Sequence, residues 1–265
     1  MVEENEILRE ACVLARLEHN NVIRLMGVCI ADGPPLVLME HAIYLDLQRY
    51  LTERRHLAVR ARHGNDTDYF EVSDESLTRF AYDAASALEY LTERRLVHRD
   101  VRAANCLIDK QRSLKLADFG MARELDEEDS TYMTCRKGLF PVLWMAPESL
   151  ERGVFSPASD IWAVGVLVLE IATLGSRPYG DWPKCRVMKH VIAGGRPSLP
   201  PDASMQMSKL LQMCWHQDPE ARITAAQLRK YLTENPKVIS PALLAPEPPP
   251  LTPPRNSIYE HRYIE

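Results

Sequence analysis

The segment "LVHRDVRAANCLI", residues 96–108, decides how the rest of this sequence is interpreted. It places a carboxylate at Asp100 and a carboxamide at Asn105 between two short apolar runs with the composition of strands. A second carboxylate, Asp118, follows the next apolar run in the tetrapeptide "ADFG". Such oxygen ligands suit Mg²⁺, which binds through one or two carboxylates together with substrate phosphates. Asp100 is then free to accept a proton from an attacking hydroxyl group.

Taken singly, each of these residues has a simpler interpretation, because Asp and Asn often cap helices or occupy turns.

The composition limits the possible partners and the location of the chain. The 265 residues are 46% hydrophobic and 26% charged, with a net charge of −5, which argues against nucleic-acid and anionic-lipid partners. Six scattered cysteines without a CxxC spacing indicate a reduced, cytosolic chain. The most apolar run, 161–169, is too short to cross a bilayer, so we expect no membrane insertion.

Hydrophobic periodicity predicts an α+β protein with a small sheet at its front. An amphipathic helix over 3–17, strands within 21–30 and 35–42, and a short helix within 44–55 come first. The stretch 56–75 is polar and without period, so we expect a loop insertion there. A long helix capped by Ser73 or Asp74, a hairpin around 110–113 and further helices from Pro157 follow. The tail from Pro236 is dense in proline and should be extended and mobile.

Five motifs resemble those of the protein kinases and occur in the order of that family. They are "HRDVRAAN" (98–105), "DFG" (118–120), "APE" (146–148), "SDIWAVGV" (159–166) and "CWHQDPEARI" (214–223). The resemblance reaches to about residue 235 and implies a protein-kinase-like fold. Its domains would be a truncated N-lobe of one helix plus two strands (1–41), a mostly helical C-lobe (42–235) and a flexible tail (236–265).

The resemblance also implies roles for individual residues. Asp100 would be the catalytic base with Arg102 beside it, while Asn105 and Asp118 would hold Mg²⁺ against the phosphates of ATP. The adenine pocket would use three further positions: the gatekeeper Met39, the hinge backbone from Glu40 to Ala42, and the floor Leu107. Six residues would have structural roles. His98 and Phe119 would stack between the catalytic loop (98–105) and the metal-binding loop (118–120), and Glu148 would pair with Arg222. Arg99 and Asp160 complete this set.

Tyrosine is favoured over serine as the phosphate acceptor. Arg102 stands where serine/threonine kinases carry lysine, and Pro141 and Trp144 resemble the apolar substrate platform of tyrosine kinases. "LMGVC", "DFGMAR" and the segment 153–181 are similar to receptor tyrosine kinases. Leu143 departs from the basic residue usual before that tryptophan, which puts a preference for acidic substrates in doubt.

The front of the chain lacks two elements of the family. No G-x-G-x-x-G is present, and the first lysine is Lys110, so no lysine can pair with Glu10 at the helix-glutamate position. We expect Glu10 to face water or to be an uncompensated charge, and the chain alone to be nearly inactive. A fragment of a longer protein, a short isoform and a gene model begun at the wrong methionine all fit these observations.

Regulatory and partner sites are also predicted. Tyr132 follows four acidic residues, 126–129, and its phosphorylation would add negative charge that Arg99 and Arg123 can pair; a solvated acidic loop is the alternative. In the tail, "PLTPPR" (Pro250, Pro253, Arg255) matches an SH3-ligand form, and Tyr259 and Tyr263 match sites for phosphotyrosine-binding domains. A plain linker and an unmodified end are the alternatives.

The leading functional hypothesis is therefore a receptor-like protein-tyrosine kinase domain on the cytosolic side of the plasma membrane, with protein tyrosine as substrate. A non-catalytic, kinase-like interaction or regulatory fragment is the alternative from another class. A serine/threonine kinase is opposed by Arg102 and Trp144.

Overall fold

The structure is a computed structural model that describes residues 2–30, 33–62, 68–126, 128–134 and 140–242. Its helices are α1 Val2–Leu14, α2 Leu47–Glu53, α3 Arg55–Arg62, α4 Asp74–Glu93, α5 Pro147–Arg152, α6 Pro157–Ala172, α7 Lys184–Ile192, α8 Met205–Cys214 and α9 Ala225–Glu234. Its strands are β1 Leu25–Cys29, β2 Leu36–Met39, β3 Leu96–Val97, β4 Cys106–Ile108, β5 Leu114–Leu116, β6 Arg123–Glu124, β7 Tyr132–Met133 and β8 Val154–Phe155. Short 3₁₀ turns cover Asp68–Val72, Ala103–Asn105, Val142–Trp144 and Pro219–Ala221.

The front of the molecule consists of α1 and an antiparallel pair, β1 and β2, as the periodicity predicts. Leu25 pairs with Met39 and Cys29 with Leu36, with one irregularity between Leu25 and Gly27. Large apolar side chains of this pair remain open to solvent, and Met26 is 65% and Leu36 60% exposed. A two-stranded sheet with so little burial is marginal by itself, so its order depends on α1 and the body behind it.

The body of the molecule is built around α4 and α6, which are buried along much of their length. Ser73 caps α4 by accepting a hydrogen bond from the Ser76 N–H, which settles the cap left open between Ser73 and Asp74. Helix α6 is apolar on all sides between Asp160 and Glu170, as expected for a helix enclosed by others. The predicted hairpin is present as β4 and β5, which pair from Cys106–Leu116 to Ile108–Leu114.

The stretch 56–75 differs from the expected loop insertion. It contains most of α3 and the 3₁₀ turn Asp68–Val72. Leu57 and Ala58 are buried on one side and Val72 is fully buried on the other, so apolar burial orders both ends. Glu71 accepts hydrogen bonds from Arg112 Nη2 at 2.7 Å and also from Arg54 Nε. Hydrophobic periodicity does not reveal these pairs, because their partners are distant in the sequence.

The beginning of the tail is packed, unlike the mobile segment expected from Pro236. Val238 and Ile239 are buried, and the Ile239 N–H donates to Thr78 Oγ1 of α4 at 3.0 Å. The predicted tail sites at Pro250, Pro253, Arg255, Tyr259 and Tyr263 lie outside the described residues. Within the described ranges, no helix combines the length and apolarity needed to span a bilayer.

Candidate active site

The segment 98–105 forms a turn that is held from behind by α6. The Asp160 carboxylate accepts hydrogen bonds from the backbone N–H groups of His98 at 2.7 Å and Arg99 at 2.9 Å. Arg99 has a φ of 71°, a left-handed conformation that is strained for a residue with a side chain. Burial raises the pKa of Asp160 to about 7, against the opposing effect of these hydrogen bonds. The helix therefore fixes an otherwise unfavourable turn.

His98 links this turn to the strand before Asp118. Its Nδ1 accepts from the Asp100 N–H at 3.3 Å, so Nε2 carries the proton that is donated to the Ala117 carbonyl at 3.1 Å. Full burial lowers the pKa of His98 to about 4, which keeps the ring neutral. The predicted contact with Phe119 is present in an edge-to-face form, with ring centroids 4.8 Å apart and planes at 74°.

The side chain of Asp100 is nearly buried beside Arg102. The residue is 6% exposed, and its Oδ1 lies 3.0 Å from Arg102 Nε. Asn105 Nδ2 donates to the Asp100 backbone carbonyl at 2.9 Å, which fixes the orientation of the carboxamide. Burial raises the pKa of Asp100, with Arg102 and Asn105 opposing the shift and Asp118 adding to it. The structure thus brings Asp100, Arg102 and Asn105 together.

Asp118 lies close enough for its charge to act on Asp100, His98 and Glu10. Its φ of 60° is left-handed, like that of Arg99, and the residue is exposed. In the described part of the chain, no group of three or more His, Cys, Asp or Glu side chains could hold a metal ion. The predicted ligand set differs from such a group because it includes the carboxamide of Asn105.

The expectation for Glu10 needs one correction. Its carboxylate is half-buried and has a neutral partner, because Oε1 accepts a hydrogen bond from the Phe119 N–H at 3.0 Å. Partial burial raises the pKa of Glu10, opposed by this hydrogen bond and reinforced by the charge of Asp118. A backbone donor replaces the lysine on which the expectation depended, and α1 is thereby tied to the "DFG" segment.

The predicted adenine-pocket residues lie at the end of β2, on the segment that follows it and in β4. Met39 is 43% exposed, Ala42 is buried, and Leu107 is half-buried in β4. The Glu40 N–H donates to the Arg24 carbonyl at 2.9 Å, just beyond the ends of β2 and β1. Its side chain forms an ion pair with Lys115 at 3.1 Å, which the sequence did not suggest.

The predicted substrate platform is the 3₁₀ turn Val142–Trp144 preceded by Pro141. Trp144 is half-buried, and the Arg102 guanidinium carbon lies 5.6 Å from its ring centroid. Leu143 is buried at 4% exposure, so this position presents no polar side chain to the surface. The platform therefore adjoins Asp100 through Arg102.

Glu170 is the site residue that sequence reasoning missed. It is 1% exposed, and its Oε2 accepts from Trp144 Nε1 at 2.8 Å and from the Ala103 N–H at 3.0 Å. Burial raises its pKa to about 7, against the effects of these two donors. An ionisable residue that directly follows nine apolar residues was a signal that could have found it.

Two further predicted clusters are present. Glu148 and Arg222 form a buried bidentate ion pair, with N–O distances of 2.6 and 2.7 Å. Tyr132 lies between two arginines, with guanidinium carbons 4.9 Å (Arg99) and 5.9 Å (Arg123) from its ring centroid. Burial alone would raise the pKa of Tyr132, but Arg123 and Arg99 outweigh it and lower the value.

Comparison with known proteins agrees with this arrangement. Residues 1–232 match a family model described as protein tyrosine and serine/threonine kinase. The chain is 37% identical over 224 residues to protein sevenless of Drosophila melanogaster, covering 82% of this chain and 9% of that protein. It is 35% identical over 238 residues to the tyrosine-protein kinase transforming protein ros of UR2 avian sarcoma virus, covering 88% and 57%. It is 34% identical over 233 residues to the insulin receptor of Xenopus laevis, covering 88% and 17%.

The fold and the family match define the class as a protein kinase domain. The chain belongs to the protein tyrosine and serine/threonine kinase family. Over most of its length it is similar to receptor tyrosine kinases. The family implies ATP as the phosphate donor, a divalent metal and protein substrates. The chain spans only 9% to 57% of the length of the three relatives named above.

Proposed function

We propose that this site transfers the γ-phosphoryl group of ATP to the hydroxyl group of a protein tyrosine. The observation that carries the proposal is the fixed turn, on which the Asp100 side chain is buried against Arg102 and the Asp100 backbone N–H donates to His98. Asp100 accepts the proton of the tyrosine hydroxyl as the phenolic oxygen forms its bond to phosphorus and the bond to ADP breaks. The raised pKa of Asp100 suits a group that must take up that proton.

The metal is Mg²⁺ in this proposal, held by Asn105 and Asp118. Asn105 uses its Nδ2 for the Asp100 carbonyl, which leaves Oδ1 as the ligand atom, and Asp118 offers an exposed carboxylate. This all-oxygen donor set fits a hard cation that keeps waters and phosphate oxygens in its remaining positions. When bound, the ion would neutralise charge on the phosphates.

The proposed pocket for the nucleotide base is formed by Met39, the backbone carbonyl of Glu40, Ala42 and Leu107. Glu10 holds the "DFG" segment behind this pocket.

Tyrosine is the proposed acceptor because the platform offers a flat apolar shelf next to Arg102. Pro141 and Trp144 supply that shelf, and a phenol ring gains more from it than a short serine side chain does. The buried Leu143 adds no charge, so we expect little selection for acidic substrate residues at this position. The non-catalytic alternative is not favoured by the comparisons.

We expect the 265-residue chain by itself to turn over slowly. The glycine-rich loop and the phosphate-binding lysine are not part of this sequence, and each contact of this kind contributes about 10²- to 10³-fold to turnover. If the two contributions are independent, the loss is about 10⁴- to 10⁶-fold.

The test therefore uses two forms: the chain itself, and a chimera preceded by the corresponding front segment of the Xenopus insulin receptor. Transfer from labelled ATP to a tyrosine peptide, with a serine peptide of the same sequence as control, is the readout. The chimera should phosphorylate tyrosine at least 10²-fold faster than the chain and should lose activity with Asp100→Asn. A folded chimera without transfer, or with a preference for serine, contradicts the proposal.

Tyr132 is the proposed regulatory phosphosite. Its phosphate would meet Arg99 and Arg123, which already flank the ring, and would strengthen the link between this loop and the 98–105 turn. Mass spectrometry of the active chimera should find phosphate on Tyr132, and Tyr132→Phe should lower its activity. An equally active Tyr132→Phe chimera would remove this role.

Location and partners complete the proposal. Similarity to receptor tyrosine kinases supports a position on the cytosolic side of the plasma membrane as part of a receptor-like protein. Pro250, Pro253 and Arg255 are proposed to bind an SH3 domain, and phosphorylated Tyr259 and Tyr263 are proposed to bind phosphotyrosine-binding domains. Binding of the corresponding synthetic peptides to such domains tests both.

A further inference from the structure

Helix α6 holds the 98–105 turn at both of its ends. Asp160 accepts from the N–H groups of His98 and Arg99 at one end, and Glu170 accepts from the Ala103 N–H at the other. The two carboxylates are ten residues apart, which is about 15 Å along a helix axis. The segment that carries Asp100 is therefore stretched along α6 between two buried acceptors.

Glu170 differs from Asp160 because it serves two segments with a single oxygen atom. Its Oε2 receives the Ala103 N–H at 3.0 Å and the Trp144 indole N–H at 2.8 Å. The residue is 1% exposed, so its carboxylate has little access to water as a replacement partner. If either the Ala103 N–H or the Trp144 indole N–H is displaced, the other hydrogen bond is strained or the carboxylate loses one of its two donors.

We propose that Glu170 is a positioning residue that fixes the platform at Trp144 in register with the turn that carries Asp100. It does so without touching substrate, through Trp144 on one side and Ala103 on the other. Arg102 completes the connection from the front, since it contacts Asp100 at 3.0 Å and lies over the Trp144 ring. The inference rests on the proposed function for its catalytic meaning, while the mechanical coupling can be measured without any turnover.

The test uses the 265-residue chain labelled with 5-fluorotryptophan, whose four tryptophans are assigned by single Trp→Phe changes. Glu170→Met removes the acceptor, whereas Glu170→Gln keeps one carbonyl oxygen for both donors. Ile171→Val, the adjacent and fully buried position, is the matched control for a small defect in α6. Fluorine NMR reports on Trp144, and amide hydrogen exchange reports on 99–105 and 141–146.

With Glu170→Met, we expect the Trp144 resonance to move while those of Trp182 and Trp215 stay, and exchange to rise at least tenfold in both segments. Glu170→Gln should keep both segments within threefold of the unmodified chain, and Ile171→Val should not reproduce the pattern. A response in only one segment, or the same response with Ile171→Val, overturns the proposal.

If Glu170→Met does not fold, Glu170→Gln decides the question. Exchange close to that of the unmodified chain in both segments supports an acceptor role, and faster exchange in either segment overturns it. None of these measurements depends on phosphate transfer. Failure of the kinase assay and failure of this inference are thus separate results.

Discussion

The buried pair of Glu148 and Arg222 allows the sharpest prediction of stability. The Arg222 side chain is fully buried, and that of Glu148 is 4% exposed. Arg222 also donates to the carbonyls of His216 at 2.9 Å and Ala158 at 3.0 Å. Replacing Glu148 alone by Met leaves a buried guanidinium with only neutral partners, namely these carbonyls and the Trp162 ring. Such an uncompensated buried charge costs about 3–5 kcal/mol, which lowers the folded-to-unfolded ratio about 10²- to 10⁴-fold.

The double variant Glu148→Met with Arg222→Met should be much milder than the sum of the two single changes. It leaves no buried charge, and its cost is the loss of the two carbonyl hydrogen bonds, about 2–3 kcal/mol. Urea unfolding followed by circular dichroism gives all four free energies of the cycle. The exposed pair Glu75–Lys237 is the control, and Glu75→Gln should leave the free energy of unfolding nearly unchanged. Single losses below about 1 kcal/mol, or a double variant equal to the sum, would refute the reasoning.

Three other predictions follow from the packing. Gly165→Ala should lower the melting temperature, because the new Cβ would clash with Trp215 Nε1 and overpacking of this kind costs about 1–3 kcal/mol. An unchanged melting temperature contradicts the packing of α6. Cys106 should resist labelling by maleimide in the native state while Cys12 reacts, because burial raises the pKa of the Cys106 thiol and Cys12 is exposed. Equal labelling rates for the two cysteines contradict this prediction. Burial raises the pKa of Asp160 from 3.8 to about 7, so the folded state binds this proton more tightly than the unfolded state does. The contribution of Asp160 to stability should therefore fall as pH rises from about 4 to 7. The measurement is the difference in unfolding free energy between the protein and Asp160→Asn, and a difference that stays constant over that range contradicts the prediction.

Much of the architecture was predictable because its signals are local. Helix α4 has an apolar stripe and a capping serine, and the β4–β5 hairpin has two apolar runs around a polar turn. The candidate site was predictable for a different reason. Asp100, Asn105 and Asp118 belong to short motifs whose spacing is distinctive, although their convergence depends on the fold.

What was not predictable depends on partners distant in the chain. The backbone N–H of Phe119 that satisfies Glu10 comes from a residue 109 positions later. The placement of the 3₁₀ turn Asp68–Val72 depends on Glu71 contacting Arg54 and Arg112, which a periodic pattern does not reveal. The double role of Glu170 likewise needs two segments that meet only in the folded chain.

The central claim is that Asn105 and Asp118 hold a nucleotide-bound divalent ion beside Asp100. Electron paramagnetic resonance with Mn²⁺ in place of Mg²⁺ measures this directly, since the signal of the free ion falls as it binds. In the presence of a non-hydrolysable ATP analogue, we expect Asp118→Asn to weaken Mn²⁺ binding at least tenfold. Asp181→Asn, an exposed carboxylate elsewhere, should leave it unchanged. Equal Mn²⁺ binding by the protein and Asp118→Asn would contradict the account.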